Sequence, residues 1–248
     1  MNRIKLKLED KDIKIKIQLA NVSVNSEFDV MGYNGSEQPL FGYLEYSKDI
    51  FKNWDDSQSG LMSRFRNDKD LIFCPLVDTS KANNMTAMFS GCVNLLQVPL
   101  LNTANVVHFD EMFYNCSSLT VVPQFNTANL YSANLMFGGC SKLVSLPLLD
   151  FTKAEQLRSM LLACSELVEL GGFTNLAVNL DLSSSRKLTA DSIMNVINEA
   201  KDLSEIGSAT LTLGNTNISK LTEEQIAIAT SKGWTLAVSY THLRAHET

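Results

Sequence analysis

Thiols and imidazoles are the groups in this chain best suited to chemistry: five cysteines and three histidines among 248 residues. A thiolate attacks carbonyls, pairs as a disulfide, or joins other thiolates around a soft metal. Cys92, Cys116, Cys140 and Cys164 follow one another at a constant spacing of 24 residues. If one 24-residue unit lies on the next, equivalent positions form a line about 5 Å apart per step, the spacing of strands in a sheet. A metal needs ligands around a point rather than along a line. Side chains that all point the same way also bridge poorly. The spacing therefore predicts small buried thiols that fill a corner, with no metal site and no disulfide plan. His108 falls between the apolar positions of its own repeat and is expected to be exposed, without a repeated partner. Asp55-Asp56 and Glu223-Glu224 read as solvated charges and helix N-terminal acids. The chain shows no glycine-rich phosphate loop, no paired-histidine metal motif and no nucleophile elbow. The expectation is a protein with no catalytic residues, no cofactor and no metal.

What positions those cysteines is a pattern written four times. Met88-Phe89, Cys92, Leu95 and Pro99 make the first copy, and Met112-Phe113, Cys116, Leu119 and Pro123 the second. Met136-Phe137, Cys140, Leu143 and Pro147 make the third; Met160-Leu161, Cys164, Leu167 and Gly171 make the fourth. A fixed period of roughly 20 to 29 residues with leucine at set offsets is the mark of a leucine-rich-repeat solenoid. The segments 95–98, 119–122, 143–146 and 167–170 read as strands of a parallel sheet, one per coil, with proline where a lost N–H is tolerated. Asp78-Thr79, Asn102-Thr103 and Asn126-Thr127 follow as turn and capping residues. Val106, Phe109, Met112 and Phe113, and likewise Leu130, Ala133, Met136 and Phe137, have the spacing of a short helix or helical turn with one inward stripe. Gly91, Asn115 and Gly139 sit where the chain must reverse, and all three tolerate a left-handed backbone.

The flanks are less regular. Ile4, Leu6 and Leu8, then Ile13, Ile15, Ile17 and Leu19, alternate with lysines around a charged turn, which reads as a β-hairpin with one apolar face. It serves either as the cap that a repeat array needs at its end or as an attachment or assembly element. Residues 25–46 look like an irregular, aromatic-containing layer. Residues 47–66 look like a worn repeat: Phe65 and Leu71 keep the offsets, while Arg64 and Asp68 replace methionine and cysteine. After Leu176 the rhythm lengthens. Leu180-Asp181-Leu182 and Leu211-Thr212-Leu213 are strand-like and 31 residues apart. Thr189 is expected to cap a helix bearing Ile193, Val196, Ile197 and Ala200; Thr222 with Gln225 makes a capping box for another that ends at Gly233. The last eleven residues, VSYTHLRAHET, look like the translation of a transposon-type sequencing adapter. His242 and His246 are set aside with them, and natural sequence is expected to have been interrupted near Ala237. The expected organisation is a capping layer over 1–46, regular repeats over 47–176, longer strand–helix repeats over 177–237, and the adapter-like tail over 238–248. The fold class is α/β: a leucine-rich-repeat solenoid with a parallel one-strand-per-coil sheet, short helices on the other side and an N-terminal β-hairpin cap.

A formal charge of −6 and a pI near 5.1 argue against a nucleic-acid partner, which calls for a basic stripe. No apolar run is long enough for a membrane span, and Met1 to Gln18 has no apolar core of a secretory signal.

The string Met-Phe-x-x-Cys-x-x-Leu-x-x-Val/Leu-Pro followed by Asp/Asn-Thr resembles the BspA-like leucine-rich repeats of bacterial surface proteins, over about residues 47 to 237. Phe151 and Leu161 depart from the pattern and mark the fourth coil as a transition. The resemblance implies adhesion or recognition at a surface, with a protein or glycan partner on a cell, at the cell surface or on a virion. A phage tail-associated or virion structural role, or an intracellular protein-interaction scaffold, is the alternative. Two strand rows are candidates for the ligand face. One is Ile72, Leu96, Thr120, Val144 and Val168; the other, more polar and favoured as the outward one, is Phe73, Gln97, Val121, Ser145 and Glu169. Strand alternation is expected to expose one row and bury the other.

Overall fold

The computed structural model describes residues 61–74 and 79–238. The expected hairpin over Ile4–Leu19, the layer over 25–46, most of the worn repeat and the tail after Val238 lie outside these residues. The chain divides into two units, Met1–Asp55 with Phe73–Val77, and Asp56–Ile72 with Asp78–Thr248. Of the first, only Phe73, half-exposed, and Cys74, buried, are among the described residues. The following concerns the second.

The described residues form a mixed α/β structure with parallel strands in small sheets and few helices. β1 (Ser145–Leu146) pairs in parallel with β3 (Glu169–Leu170), and β2 (Leu149–Asp150) with β4 (Phe173–Thr174). β5 (Leu180–Asp181), β6 (Ala209–Thr212) and β7 (Trp234–Ala237) form a three-stranded parallel sheet. Its helices are α1 (Ala190–Glu199), α2 (Gly214–Ile218) and α3 (Glu223–Ser231).

The 24-residue spacing becomes columns of identical contacts. The rings of Phe65, Phe89, Phe113 and Phe137 lie face to face at 5.4, 5.5 and 5.6 Å, within 5° of parallel. Beside them each cysteine thiol donates to the carbonyl of the preceding phenylalanine: Cys92 to Phe65, Cys116 to Phe89, Cys140 to Phe113 and Cys164 to Phe137, at 2.9 to 3.1 Å. Met88, Met112 and Met136, like Leu95, Leu119, Leu143 and Leu167, are wholly buried. A repeat cannot bury such a face alone; its neighbours above and below do it.

Two expectations about the repeats need correction. First, the Met-Phe segments are turns, not helices. Alternate N–H groups leave the segment: those of Met85, Ala87, Phe89 and Gly91 donate to the carbonyls of His108, Asp110, Met112 and Tyr114 in the next repeat, at 2.7 to 2.9 Å. Of the groups between them, Met88 and Ser90 bond three residues back, to Met85 and Ala87, and Thr86 bonds to the Asn84 side chain. An α-helix needs every N–H to reach four residues back, so this backbone cannot be helical. The path is enforced by two left-handed residues per repeat, four apart. They are Ala87 and Gly91, Glu111 and Asn115, Leu135 and Gly139, Ser159 and Ala163. Gly91, Asn115 and Gly139 were expected to reverse the chain; the others were not. The apolar spacing of 3, 3 and 1 fits these successive turns as well as it fits a helix. Second, a repeat carries more than one β segment. Besides the β1–β3 ladder, a second ladder (β2–β4) lies beyond the proline, and a line of bridges joins Asn84, His108, Ser132 and Gln156. Between the two ladders Gly171 takes the proline's place because a Cβ there would lie 2.4 Å from the Leu148 nitrogen.

The C-terminal elements agree with the sequence more closely. Leu180 pairs with Leu211, the expected 31-residue step. Thr189 caps α1 through the Ser192 N–H, and Ile193, Val196, Ile197 and Ala200 are buried. Thr222 and Gln225 form both bonds of the capping box, and Gly233 follows α3 at φ +80°. β7 was not anticipated; its Trp234 is buried and donates its indole N–H to Lys201. α1 also closes the β1–β3 ladder by side-chain mimicry of a strand. Ser192 Oγ accepts from the Leu170 N–H and donates to the Val168 carbonyl, while Asn195 donates to the Leu170 carbonyl.

Candidate functional site

Each strand segment of the 24-residue repeats is inward at its first and fourth residues and outward at the two between. Leu95 and Val98 are buried, whereas Leu96 is 40% exposed and Gln97 partly exposed. The same order holds for Leu119 to Val122, Leu143 to Leu146 and Leu167 to Leu170. The expectation that one row is outward and the other buried is therefore corrected: both are outward. The strands are two residues long, too short for alternation to persist, and the chain turns inward again at the proline corner. Ile72, Leu96 and Val144 are 40 to 48% exposed, with Thr120 and Val168 partly so. In the favoured row, Gln97, Val121 and Ser145 are partly exposed and Glu169 is exposed; Phe73, in the other unit, is 46% exposed.

A third row escaped the sequence reading. One residue past each proline stand Leu100, Gln124 and Leu148, all exposed, the two leucines by 51% and 40%. The signal was present as another 24-residue spacing, hidden because residues after a proline read as loop. Beside this row lies a cleft of ≈ 420 Å³ lined by Gln124, Phe125, Asn126, Thr127, Ala128, Leu148, Asp150 and Thr174. The side chains on its rim are held in place. Gln124 donates its amide to the Leu148 carbonyl. Asn126 and Asp150 each use one oxygen to accept a backbone N–H two residues on, from Ala128 at 3.1 Å and Thr152 at 2.9 Å. Thr127, buried, accepts the Asp150 N–H at 2.8 Å.

One cluster holds the residue types of a catalytic triad in the wrong order. His108 Nδ1 lies 2.9 Å from Ser132 Oγ, which donates to Asp110 Oδ2 at 2.5 Å; His108 and Asp110 are 4.0 Å apart. A hydrolytic triad places histidine between serine and carboxylate so that it takes the serine proton. Here serine is the middle member, its proton already goes to Asp110, and Ser132 is 3% exposed. The cluster braces neighbouring repeats: Asp110 also accepts the Asn134 N–H at 2.9 Å. His108 is half-exposed, as expected; the bridged positions one repeat away are Asn84 and Ser132, so no histidine repeats it.

Burial governs the thiols. It raises Cys92 from its usual 9.0 to about 11 and Cys164 to about 12, and holds Cys116 and Cys140 higher still, with neighbouring cysteines adding to the effect at both. Such groups stay protonated and unreactive at neutral pH. Among the described residues there is no group of three or more histidines, cysteines or carboxylates arranged to hold a metal, and no helix long and apolar enough to cross a membrane.

No curated protein and no solved structure matches the chain. Residues 61–169, the stretch that carries the stacked phenylalanines and cysteines, match a family described as "Mycoplasma protein of unknown function, DUF285".

Proposed function

We propose that the chain is a non-catalytic recognition protein built on a BspA-like leucine-rich-repeat solenoid, acting at a cell surface or on a virion and binding a protein or glycan through the outward strand rows. The observation that supports this reading is the register of those rows. Leu96, Val144, Leu100 and Leu148 are large aliphatic side chains held 40 to 51% exposed. Contiguous apolar exposure rimmed by polar residues marks interaction sites, and these leucines and the valine recur at repeat offsets beside polar Thr120 and Gln124. A stacked repeat array presents such rows as an extended binding surface. The acidic balance fits a partner other than nucleic acid.

The test is an array of bacterial cells, mucosal glycoproteins and glycans probed with the purified full chain. Binding to at least one class is expected, and the double variant Leu96→Asp/Val144→Asp should lose it while keeping the wild-type melting temperature. Wild-type protein that binds nothing on the array, or a double variant that binds unchanged, removes the reading.

A further inference from the structure

The cleft beside the third row carries chemistry that the apolar rows lack. Its rim presents three polar side chains from two consecutive repeats, each fixed through one atom and open at another. Asp150 spends Oδ1 on the Thr152 N–H and hydroxyl, at 2.9 and 2.6 Å. Its Oδ2 has no hydrogen-bond partner among the described residues. Asn126, exposed, spends Oδ1 on the Ala128 N–H, and its Nδ2 has no hydrogen-bond partner among the described residues. Gln124 spends its amide nitrogen on Leu148, leaving Oε1. Asn126 and Asp150 are 24 residues apart, occupy the same place in adjacent repeats and line the same cleft, where the Asp150 N–H donates to Thr127, the residue after Asn126, at 2.8 Å. A fixed donor and a fixed charged acceptor thus stand side by side. Leu148, 40% exposed, and Ala128 supply an apolar floor.

We infer that this cleft is a subsite for a neutral saccharide, with Asp150 and Asn126 holding two adjacent ring hydroxyls. Each hydroxyl both donates and accepts; a carboxylate oxygen takes a proton from one, and the asparagine amide donates to the next. The C–H face of the ring packs on Leu148. No lysine or arginine lines the cleft, and the Asp150 charge opposes phosphate, sulfate or acidic sugars, so the sugar is uncharged. Because the amide and carboxylate are held by their own turns, little side-chain entropy is lost when the ligand binds. This rests on the recognition reading and sharpens it: the glycan contact lies beyond the proline corner, next to the apolar rows rather than on them.

Two isosteric substitutions test it without disturbing the turns. Asp150→Asn and Asn126→Asp both keep the Oδ1 that accepts the backbone N–H and reverse only the outward atom. Saturation-transfer NMR on the full chain, with a panel of neutral methyl glycosides and with methylammonium chloride as a cationic probe, gives the readout. At least one glycoside is expected to bind; Asp150→Asn should weaken it by about tenfold, as loss of a charge-assisted hydrogen bond implies, and Asn126→Asp by about fivefold or more, as loss of a neutral one implies. Gln124→Leu, at an exposed position, gives a third reading if either isostere lowers the melting temperature. Binding of methylammonium with no glycoside bound, binding that all three variants leave intact, or no binding at all overturns the subsite. Running the surface array alongside separates the two conclusions. Array binding that persists in Asp150→Asn and in excess glycoside sinks the cleft and leaves the recognition reading standing, whereas silence in both experiments sinks both.

Discussion

The 24-residue repeats and the strand–helix segment after Leu176 bury their backbones in opposite ways. In the repeats, a turn segment satisfies only half of its N–H groups internally and passes the rest to its neighbour, four per repeat. After Leu176, α1 and α3 satisfy their own backbones and start with side-chain caps. A helix can form at least marginally by itself; a turn segment of the first kind has no half-built state without unpaired polar groups. The repeats therefore depend on contact with their neighbours, and the later elements depend more on local sequence. Cross-repeat columns of side chains stand where the backbone is least self-sufficient: the phenylalanines, the thiols, and the line through His108 and Ser132. In the later segment the columns thin to single ties, such as buried Asn217 donating to Leu182 and Ser185.

The largest effect that would separate the two regions is loss of a column member. Phe113→Ala removes the ring between Phe89 and Phe137, and its cavity should cost about 3–5 kcal/mol. Chemical denaturation that places the variant within a few tenths of a kcal/mol of wild type contradicts the column. Next comes Gly139→Ala. Gly139 has φ +78°, and a Cβ there would meet the Asn115 side-chain oxygen at 2.2 Å. Left-handed strain alone costs roughly 1–2 kcal/mol, and the clash adds to it. The double variant Gly139→Ala/Asn115→Gly should recover the clash part, which a double-mutant cycle in urea would read as coupling.

A smaller contrast has opposite signs in the two regions. Ala227→Gly, at an exposed position inside α3, should lower stability by about 1 kcal/mol. Glu111→Gly, at a left-handed position (φ +54°) with a long 3.7 Å surface ion pair to Arg66, should raise it by up to about 1 kcal/mol. Melting curves that move both variants the same way erase the distinction. The smallest effect at neutral pH belongs to the thiols. Their folded-state values lie above the usual 9.0, so the folded chain keeps protons that the unfolded chain releases. Their contribution is whole below pH 9 and is lost as pH climbs through about 11 to 12. Cys164→Ala should flatten the fall in stability over that alkaline window, and an unchanged slope refutes the assignment.

How much could be read in the chain follows from the range of the forces involved. The strand patterns at Leu180–Leu182 and Leu211–Leu213, the caps at Thr189 and Thr222 and the reversals at Gly91, Asn115 and Gly139 are local: a side chain or a glycine acts within a few residues of itself. The in–out–out–in order of the strand segments and the left-handed turns at Ala87, Glu111 and Leu135 are not. Alanine, glutamate and leucine carry no preference for that backbone, so nothing in their own neighbourhood announces it. The cleft at Gln124, Asn126 and Asp150 went unnoticed for a related reason. Each of those residues reads as an ordinary turn former, and only the stacking of one turn on the next places them together.

The amino-acid order alone determined that the methionine, phenylalanine, cysteine and leucine columns are buried, because their constant 24-residue spacing admits one inward face. Tertiary structure alone decided the backbone path that brings them there. Helix and successive turns place the same apolar spacing inward, and the choice between them is made by carbonyl acceptors 23 residues further along the chain, waiting in the neighbouring repeat.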